Sequence, residues 1–314
     1  MLQQTQVATV LPYYRRFLRA FPNVWSLARA PLERVLELWS GLGYYRRARH
    51  LHQAARLIVR RFQGRFPHRH ADARSLPGIG DYTARAILSI AFNQPYAVLD
   101  GNVARVVARL GAYRGNLHQR RFRRAVEGDL ARLLSPRRPG DFNQAMMELG
   151  QTVCLPRAPR CPLCPLKKWC QAWAQGRPES YPAPRPRRPT ELRHLAAAVV
   201  RRGPRVALVR GLDEGLMSDL WNFPSAFGAT PQSALAHLTE KLDALAPGQT
   251  VIGSPIGGLR HGITFRAIHV ELYSAQIAGR LPNGSGRWVR LGDFQRLAVS
   301  QLARKIAARI AQHA

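Results

Sequence analysis

The four cysteines of the chain all lie within one short segment, CLPRAPRCPLCPLKKWC. The spacing is C-x6-C-x2-C-x5-C, formed by Cys154, Cys161, Cys164 and Cys170. Two disulfides are the less favoured interpretation, because the chain has no other cysteine and its first residues lack the basic-then-apolar layout of a signal peptide. Four thiolates this close together predict a metal centre, and the spacing alone is compatible with either zinc or an iron–sulfur cluster.

A second candidate site lies in the segment SLPGIGDYTARAIL, where Gly78 and Gly80 form a turn that opens into a helix. Glycine lets a backbone approach a ligand closely, and the amides at a helix N-terminus suit a phosphate oxygen. An ordinary turn between two helices explains a lone pattern of this kind equally well. Asp100 follows in VLDGNVARVVARL, at a place where an isolated aspartate is more often a helix N-cap than a catalyst.

The chain of 314 residues is strongly basic, with 48 Lys and Arg against 18 Asp and Glu and a formal net charge of +30. This balance indicates a polyanionic partner, most simply nucleic acid. Only four of the basic residues are lysine, so a drift towards arginine in a GC-rich genome is the alternative. No apolar stretch approaches membrane-spanning length, and we expect a cytoplasmic protein, in the bacterial cytosol with the nucleoid.

Apolar spacings of three and four continue from residue 1 to about 175 and predict one helix after another. The proline-rich segment GRPESYPAPRPRRP then predicts an extended linker. Beyond it, HLAAAVVRRGPRVALVR, IHVELYSAQI and GRWVRL predict strands, whereas SALAHLTEKLDAL and SQLARKIAARIAQH predict helices. We expect a mainly α N-terminal part followed by a small α+β domain.

The hairpin, the downstream aspartate and the four-cysteine loop, in this order, resemble the helix-hairpin-helix DNA glycosylases of the endonuclease III and adenine glycosylase group. The resemblance implies a 4Fe-4S cluster on the four cysteines, and an Asp100 carboxylate that stabilises a cationic, oxocarbenium-like sugar. It also implies these domains: 1–95, a six-helix-barrel lobe with the hairpin; 96–175, an iron–sulfur lobe; 176–192, a Pro/Arg-rich linker; and 193–314, a Nudix-like domain that recognises 8-oxoguanine.

Relatives that also cut the DNA backbone form a Schiff base through a lysine at the position of Tyr82. No lysine precedes Lys167 here, which favours a monofunctional glycosylase that activates water. The stretches MLQQTQVATVLPYY, LWSGLGYYRRARHLH, LDGNVARV and FNQAMMELG are similar to adenine DNA glycosylases of the MutY type. That resemblance implies base excision repair, with removal of adenine mispaired with 8-oxoguanine or guanine in double-stranded DNA, by what we expect to be a monomer.

The same resemblance assigns roles by position. Gln4 and Tyr44 insert into the duplex, Thr5 and Leu42 lie beside the oxidised guanine, Leu2, Val7, Gln144 and Glu148 form the adenine pocket, and Tyr82 and Asn102 support Asp100. Core packing is the alternative for Val7, Leu42 and Tyr44.

The stretches LWNFPSAFG and LRHGITFRAIHVELY resemble the Nudix-like domain of this family. The helix with the Nudix metal-binding glutamates is not visible, since FGATPQSALAHLTEKL carries only Glu240, so we expect binding without hydrolysis. A Phe-Ser-His turn that contacts the lesion in well-studied members is replaced by Ile263, Thr264 and Phe265. We expect the Thr264 hydroxyl to take the place of the serine, which leaves the preference for 8-oxoguanine over guanine open.

In the family a general-acid glutamate stands two residues before the methionine of M-L-Q-Q-T, and nothing precedes Met1 in this sequence. We expect Glu33 and Glu37 to face solvent rather than to replace it. Loss of a general acid costs about 10²–10⁴-fold in rate, so the expected activity is weak or absent. Either an internal methionine has been taken as the start of a longer protein, or the chain is a shortened remnant.

The alternative functions are a non-catalytic mismatch-binding protein and a G:T mismatch thymine glycosylase.

Overall fold

The computed structural model describes residues 1–184, 189–211, 220–278, 281 and 286–312, without the side chains of 295 and 296. Contacts between Cα atoms divide the chain into two compact units. The first unit consists of residues 1–56 and 188–314, and the second of residues 57–187. The predicted domain boundaries stay predictions, and residues 185–188 of the predicted linker lie outside the described residues.

The helices before the linker are α1 (Val7–Ala20), α2 (Val24–Arg29), α3 (Leu32–Trp39), α4 (Arg46–Phe62), α5 (His70–Arg74), α6 (Asp81–Phe92), α7 (Gly101–Leu110), α8 (Arg120–Leu133), α9 (Pro139–Thr152) and α10 (Gln171–Ala174). In the first unit, α1 and α3 bury Phe17, Leu36 and Trp39 in one apolar core. Residues of the C-terminal region, Leu220 and Ala298, belong to the same core. None of the described helices is long and apolar enough to cross a membrane.

In the second unit, α6 and α7 both pack against α9. The approach of α9 is close because small residues stand at the contact points. A Cβ at Gly140 would lie 2.7 Å from the Ser89 carbonyl oxygen, and one at Gly150 would lie 2.7 Å from Cβ of Asn102. The short distance between these helices places the residues that precede and open α7 beside α9.

The C-terminal region of the first unit is a mixed sheet with one helix on each face. Its elements are β1 (Glu191–Arg202), β2 (Arg205–Arg210), β3 (Trp221–Asn222), β4 (Ser225–Gly228), α11 (Pro231–Leu245), β5 (Thr250–Ile263), β6 (Arg266–Ile277), β7 (Gly286–Arg290) and α12 (Gln301–Ala311). Strand β1 pairs in parallel with β6 and antiparallel with β2 and β4. Strand β5 pairs antiparallel with β6, while β2 also pairs with β3 and β7.

The run LAAAVV, residues 195–200, is apolar at successive positions because both faces of β1 are buried. Leu195 and Val199 face the core that contains Ile306 of α12, whereas Ala196 faces the core that contains Leu238 of α11. Alternate side chains of a strand point to opposite faces, so the two helices cover opposite sides of the sheet. The predicted fold class is therefore confirmed as a mainly α N-terminal part followed by an α+β region.

Candidate functional site

The predicted hairpin is a turn between two helices, α5 and α6. Gly78 has φ of +77°, the left-handed region that glycine adopts without strain. Gly80 is the N-cap of α6, and no side chain caps its amides. A Cβ at Gly80 would meet no heavy atom within 4 Å, so the backbone here is open to a ligand. Unsatisfied N–H groups at an accessible helix N-terminus attract an anion such as a phosphate.

Asp100 is the N-cap of α7. Its Oδ1 accepts a hydrogen bond from the Val103 amide (2.7 Å), and Oδ2 accepts one from Nδ2 of Asn102 (3.4 Å). The carboxylate is half-buried at the positive end of the helix, an orientation that favours its negative charge. Burial, and then the negative charge of Asp100, raise the pKa of the Tyr82 phenol. Asn102 thus contacts Asp100, and Tyr82 is near enough for its phenol to interact electrostatically with the carboxylate, while the catalytic roles of the three residues stay predictions.

Arg105 connects this cap to α9 and to the cysteine loop. Its Nη2 donates to Oδ1 of Asn102 (3.0 Å) and to the Gly150 carbonyl (2.7 Å). Its Nε donates to the Cys154 carbonyl (2.8 Å). The sequence interpretation missed Arg105, although its spacing of three from Asn102 along one helix was a usable signal.

The motif FNQAMMELG on α9 has a buried face and an exposed face. The buried Asn143 accepts from the Val98 amide (3.1 Å) and donates to the Ser89 hydroxyl (2.9 Å) and the Tyr96 carbonyl (2.8 Å). These bonds fix the segment that leads into Asp100, a role that the sequence interpretation did not assign. Gln144 and Glu148, predicted for the adenine pocket, are exposed and four residues apart on one face of the helix.

The four cysteines line a single cavity, and none forms a disulfide. Arg109, only 2% exposed, donates from Nη1 to the Cys154 sulfur (3.3 Å) and to the Leu155 carbonyl (2.7 Å). Within the described ranges, no group of three or more His, Cys, Asp or Glu side chains is arranged to hold one metal ion. Free thiols around one cavity suit a thiolate-bound metal centre, whether a single ion or a cluster.

The predicted DNA contacts of the first unit differ in exposure. Leu2 and Val7 are 58% and 57% exposed, and Tyr44 is 51% exposed, so core packing does not explain these three side chains. Leu42 is 5% exposed and packs in the core with Trp39.

Gln4 and Tyr44 both have positive φ, +58° and +49°. Gln4 is exposed, and Thr5 is half-buried. The insertion of Gln4 and Tyr44 into a duplex, and the contacts of Thr5 and Leu42 with an oxidised guanine, stay predictions.

Thr264 lies in the tight turn between β5 and β6, with φ of +56° and an exposed side chain. It lines a cavity together with Arg260, His261 and His269. Burial, and then the positive charge of Lys305, lower the pKa of His261. Lesion recognition by Thr264 stays a prediction.

The two glutamates considered as substitutes for a general acid are both paired with arginine. Glu33 is exposed, as expected, and Oε1 accepts from Nη2 of Arg210 (3.2 Å). Glu37 is half-buried and pairs with Arg34 (2.8 Å). These ion pairs give both carboxylates a structural role on α3.

The sequence and the fold of this chain are similar to those of known proteins. Residues 1–131 match the HhH-GPD superfamily of base excision DNA repair proteins. Adenine DNA glycosylase of Rattus norvegicus is 36% identical over an alignment covering 98% of this chain and 69% of the rat protein. The Homo sapiens enzyme is 33% identical, with 98% and 66% covered. A solved structure of a thermostable thymine-DNA glycosylase has a TM-score of 0.50 at 24% identity, covers 55% of this chain and 80% of that one, and is a likeness of fold alone.

The matched residues contain the hairpin between α5 and α6 and the aspartate that caps α7, which places this part of the chain in the HhH-GPD class of base excision DNA repair proteins. The similarity to adenine DNA glycosylases extends over nearly the whole chain, including the α+β region. The chain belongs to the adenine DNA glycosylase family.

Proposed function

We propose that this chain removes adenine mispaired with 8-oxoguanine, or with guanine, from double-stranded DNA by hydrolysing the N-glycosidic bond. We assign this base excision repair reaction to the bacterial cytosol and to a monomer. The observation that carries the proposal is the Asp100 carboxylate, fixed at the start of α7 with Tyr82 and Asn102 beside it.

Asp100 is assigned to the sugar. Loss of adenine leaves positive charge on C1′ and the ring oxygen, and a fixed carboxylate stabilises that charge without reorganising. The bonds from the Val103 amide and from Asn102 hold both carboxylate oxygens in place before the substrate arrives. Adenine leaves with the electron pair of the N-glycosidic bond and takes up one proton from solvent. Water adds to C1′ and releases one proton, so the products are free adenine and an abasic sugar.

Tyr82 is assigned to hydrogen bonding rather than to covalent chemistry. A tyrosine phenol is protonated near neutral pH, and burial with the charge of Asp100 raises the pKa of Tyr82 further, so we assign it as a hydrogen-bond donor near Asp100. No lysine precedes Lys167, so the catalytic helices carry no amine for a Schiff base. The product is therefore an abasic site in an intact strand.

Binding of DNA begins at the hairpin, where the amides after Gly80 take a backbone phosphate. Gln4 and Tyr44 enter the duplex while the adenine leaves the stack, which is the general requirement for chemistry on a base. Contacts with the extruded adenine are assigned to Leu2 and Val7, which offer apolar surface, and to Gln144 and Glu148, which offer polar groups. Thr5, Leu42 and Thr264 are assigned to the opposite 8-oxoguanine.

We assign a 4Fe-4S cluster to Cys154, Cys161, Cys164 and Cys170. Four free thiols line one cavity, and their spacing resembles that of the family's cluster loop, which supports a cluster over a single zinc. When bound, the cluster supplies a cross-link that fixes the loop, and Arg109 orients the Cys154 sulfur from the protein side. Metal analysis of protein purified without oxygen tests this: iron with acid-labile sulfide supports the cluster, and zinc without sulfide contradicts it.

The function is tested on four duplexes that carry A:8-oxoguanine, A:G, A:T or T:G at one position. Excess protein is incubated with each for hours, and alkali then cleaves abasic sites. We expect cleavage at the adenine of the first two and none in the others, and Asp100→Asn abolishes it. Release of thymine from T:G contradicts the adenine assignment, whereas tight mismatch binding without release of any base supports a non-catalytic protein.

A further inference from the structure

One arginine side chain joins two separate segments of the first unit. Nη1 of Arg47 donates to the Met1 carbonyl (2.7 Å) and to the Gln3 carbonyl. Its Nη2 donates to Oγ1 of Thr5 (3.0 Å) and to the Gly43 carbonyl (3.2 Å). The guanidinium therefore ties the N-terminal segment to the turn that precedes α4.

The same guanidinium lies over two aromatic rings. Its central carbon lies 5.2 Å from the centre of the Tyr44 ring and 5.5 Å from that of Trp39. Nε1 of Trp39 donates to the Gly43 carbonyl (3.0 Å), the same oxygen that Arg47 holds. Tyr44 is thus restrained through its ring and through the peptide group that precedes it.

Arg47 donates hydrogen bonds to the peptide carbonyls that directly precede Gln4 and Tyr44. The carbonyl of Gln3 belongs to the peptide bond with Gln4, and that of Gly43 to the peptide bond with Tyr44. Both following residues have positive φ, a strained conformation that persists only where the surroundings impose it. Both carry exposed side chains. One cation therefore holds two exposed side chains in strained conformations at a fixed spacing.

We propose that Arg47 is a positioning residue that sets Gln4 and Tyr44 as a rigid pair, so that both side chains enter the DNA duplex together. This inference rests on the proposed function, in which the two side chains insert. A rigid pair has lost its conformational freedom before binding, so less is lost when DNA arrives. Lysine cannot replace Arg47, because an ammonium is a point charge on a flexible stem and lacks the planar two-armed fork.

The test compares Arg47→Lys with Arg46→Lys in the full chain. Arg46 is the neighbouring, exposed first residue of α4, and both substitutions keep the charge. The probe is 2-aminopurine next to 8-oxoguanine in an A:8-oxoguanine duplex, since its fluorescence rises when it is unstacked. We expect the unmodified chain and Arg46→Lys to raise the fluorescence, and Arg47→Lys to lose most of the rise.

A second measurement separates positioning from general damage. Affinity for an undamaged duplex depends on charge, so it should change less than twofold in Arg47→Lys. Where the unmodified chain excises adenine, the single-turnover rate of Arg47→Lys should fall by about 10–100-fold, the cost of misplacing a group by about an ångström. In a Tyr44→Ala background the additional effect of Arg47→Lys on fluorescence should shrink, because part of its target is gone.

The outcomes distinguish this inference from the proposed function. If the unmodified chain unstacks the probe but releases no adenine, the catalytic proposal is contradicted. The fluorescence comparison of Arg47→Lys with the unmodified chain then still tests the role of Arg47. The role of Arg47 is overturned if Arg47→Lys raises the 2-aminopurine fluorescence as much as the unmodified chain does. It is also overturned if Arg47→Lys lowers the fluorescence equally in the Tyr44→Ala background. Absence of unstacking by the unmodified chain overturns insertion and with it this role. If circular dichroism shows that Arg47→Lys is unfolded, Arg47→Gln is measured instead. Its side chain has a single amide group in place of the guanidinium, and we expect the same loss of the fluorescence rise.

Discussion

Arg105 donates a hydrogen bond to Oδ1 of Asn102 (3.0 Å), and Asn102 in turn donates to the Asp100 carboxylate (3.4 Å). The same guanidinium donates to the carbonyls of Gly150 and Cys154. One side chain therefore links the carboxylate at the start of α7 to α9 and to the first residue of the cysteine loop. The position of the carboxylate therefore depends on contacts that Arg105 makes with two other segments.

Replacing Arg105 should weaken both stability and excision. Arg105→Lys keeps the positive charge but cannot donate to all three partners, which leaves carbonyl groups without their donor at a cost of about 1–3 kcal/mol in the free energy of unfolding. Urea unfolding of the two proteins measures this cost. Arg157→Lys, at an exposed position of the cysteine loop, is the matched control and should leave the free energy unchanged. Equal unfolding curves for all three proteins would show that the Arg105 network contributes nothing.

Gly150 should not tolerate even one added methyl group. A Cβ at this position would lie 2.7 Å from Cβ of Asn102 and 3.1 Å from its backbone, so α9 would have to move away from α7. We expect Gly150→Ala to lower the free energy of unfolding by about 1–3 kcal/mol, the usual cost of overpacking, and to slow excision by displacing Asn102.

Gly128 in α8 is the matched control for Gly150. A Cβ there would meet no heavy atom within 4 Å, and alanine is the better helix former. Gly128→Ala should therefore raise the free energy of unfolding by about 0.4–1 kcal/mol. The prediction for Gly150 fails if both variants are stabilised in thermal unfolding.

Two substitutions separate the role of Asp100 as a helix cap from the role of its negative charge. Asparagine caps a helix as well as aspartate does, so Asp100→Asn should leave the free energy of unfolding within about 0.5 kcal/mol of the original, whereas Asp100→Ala should lose about 1 kcal/mol. Both lack the negative charge, and both should lose at least about 100-fold in single-turnover excision. An active Asp100→Asn protein would contradict the electrostatic role and leave only the cap.

The sequence predicted much of this site because its clearest signals are local. Gly78 and Gly80 stand in the hairpin, and Asp100 opens a helix, since turn chemistry and helix starts depend on neighbouring residues. Asn143 was missed because its partners are distant in the chain, 54 residues away for Ser89. Arg105 has one local partner, Asn102, but its other two partners are 45 and 49 residues away. Such partners become visible only once α6, α7 and α9 have packed.

The sequence pattern also did not predict which side chains of the first unit are buried. Leu42 and Tyr44 stand two positions apart in one glycine-rich turn, yet Leu42 packs in the core and Tyr44 faces outward. Positive φ at Gly41, Gly43 and Tyr44 produces this difference. Periodicity rules assume regular helix or strand geometry and give no answer for such a turn.

The stability of the α+β region should fall as the pH drops below about 6.5. Burial, and then the charge of Lys305, lower the pKa of His261 below its ordinary value of 6.5, so the unfolded chain takes up a proton at His261 before the folded one does. The contribution of His261 is complete above the unfolded pKa and is lost as the pH falls towards the folded pKa. His261→Phe removes this group, so the free energy of unfolding, measured in urea at pH 7 and pH 5, should decline less in the variant. His118→Asn, at an exposed site, should decline as the unmodified chain does. Identical declines in all three proteins would exclude His261 as a source of acid sensitivity.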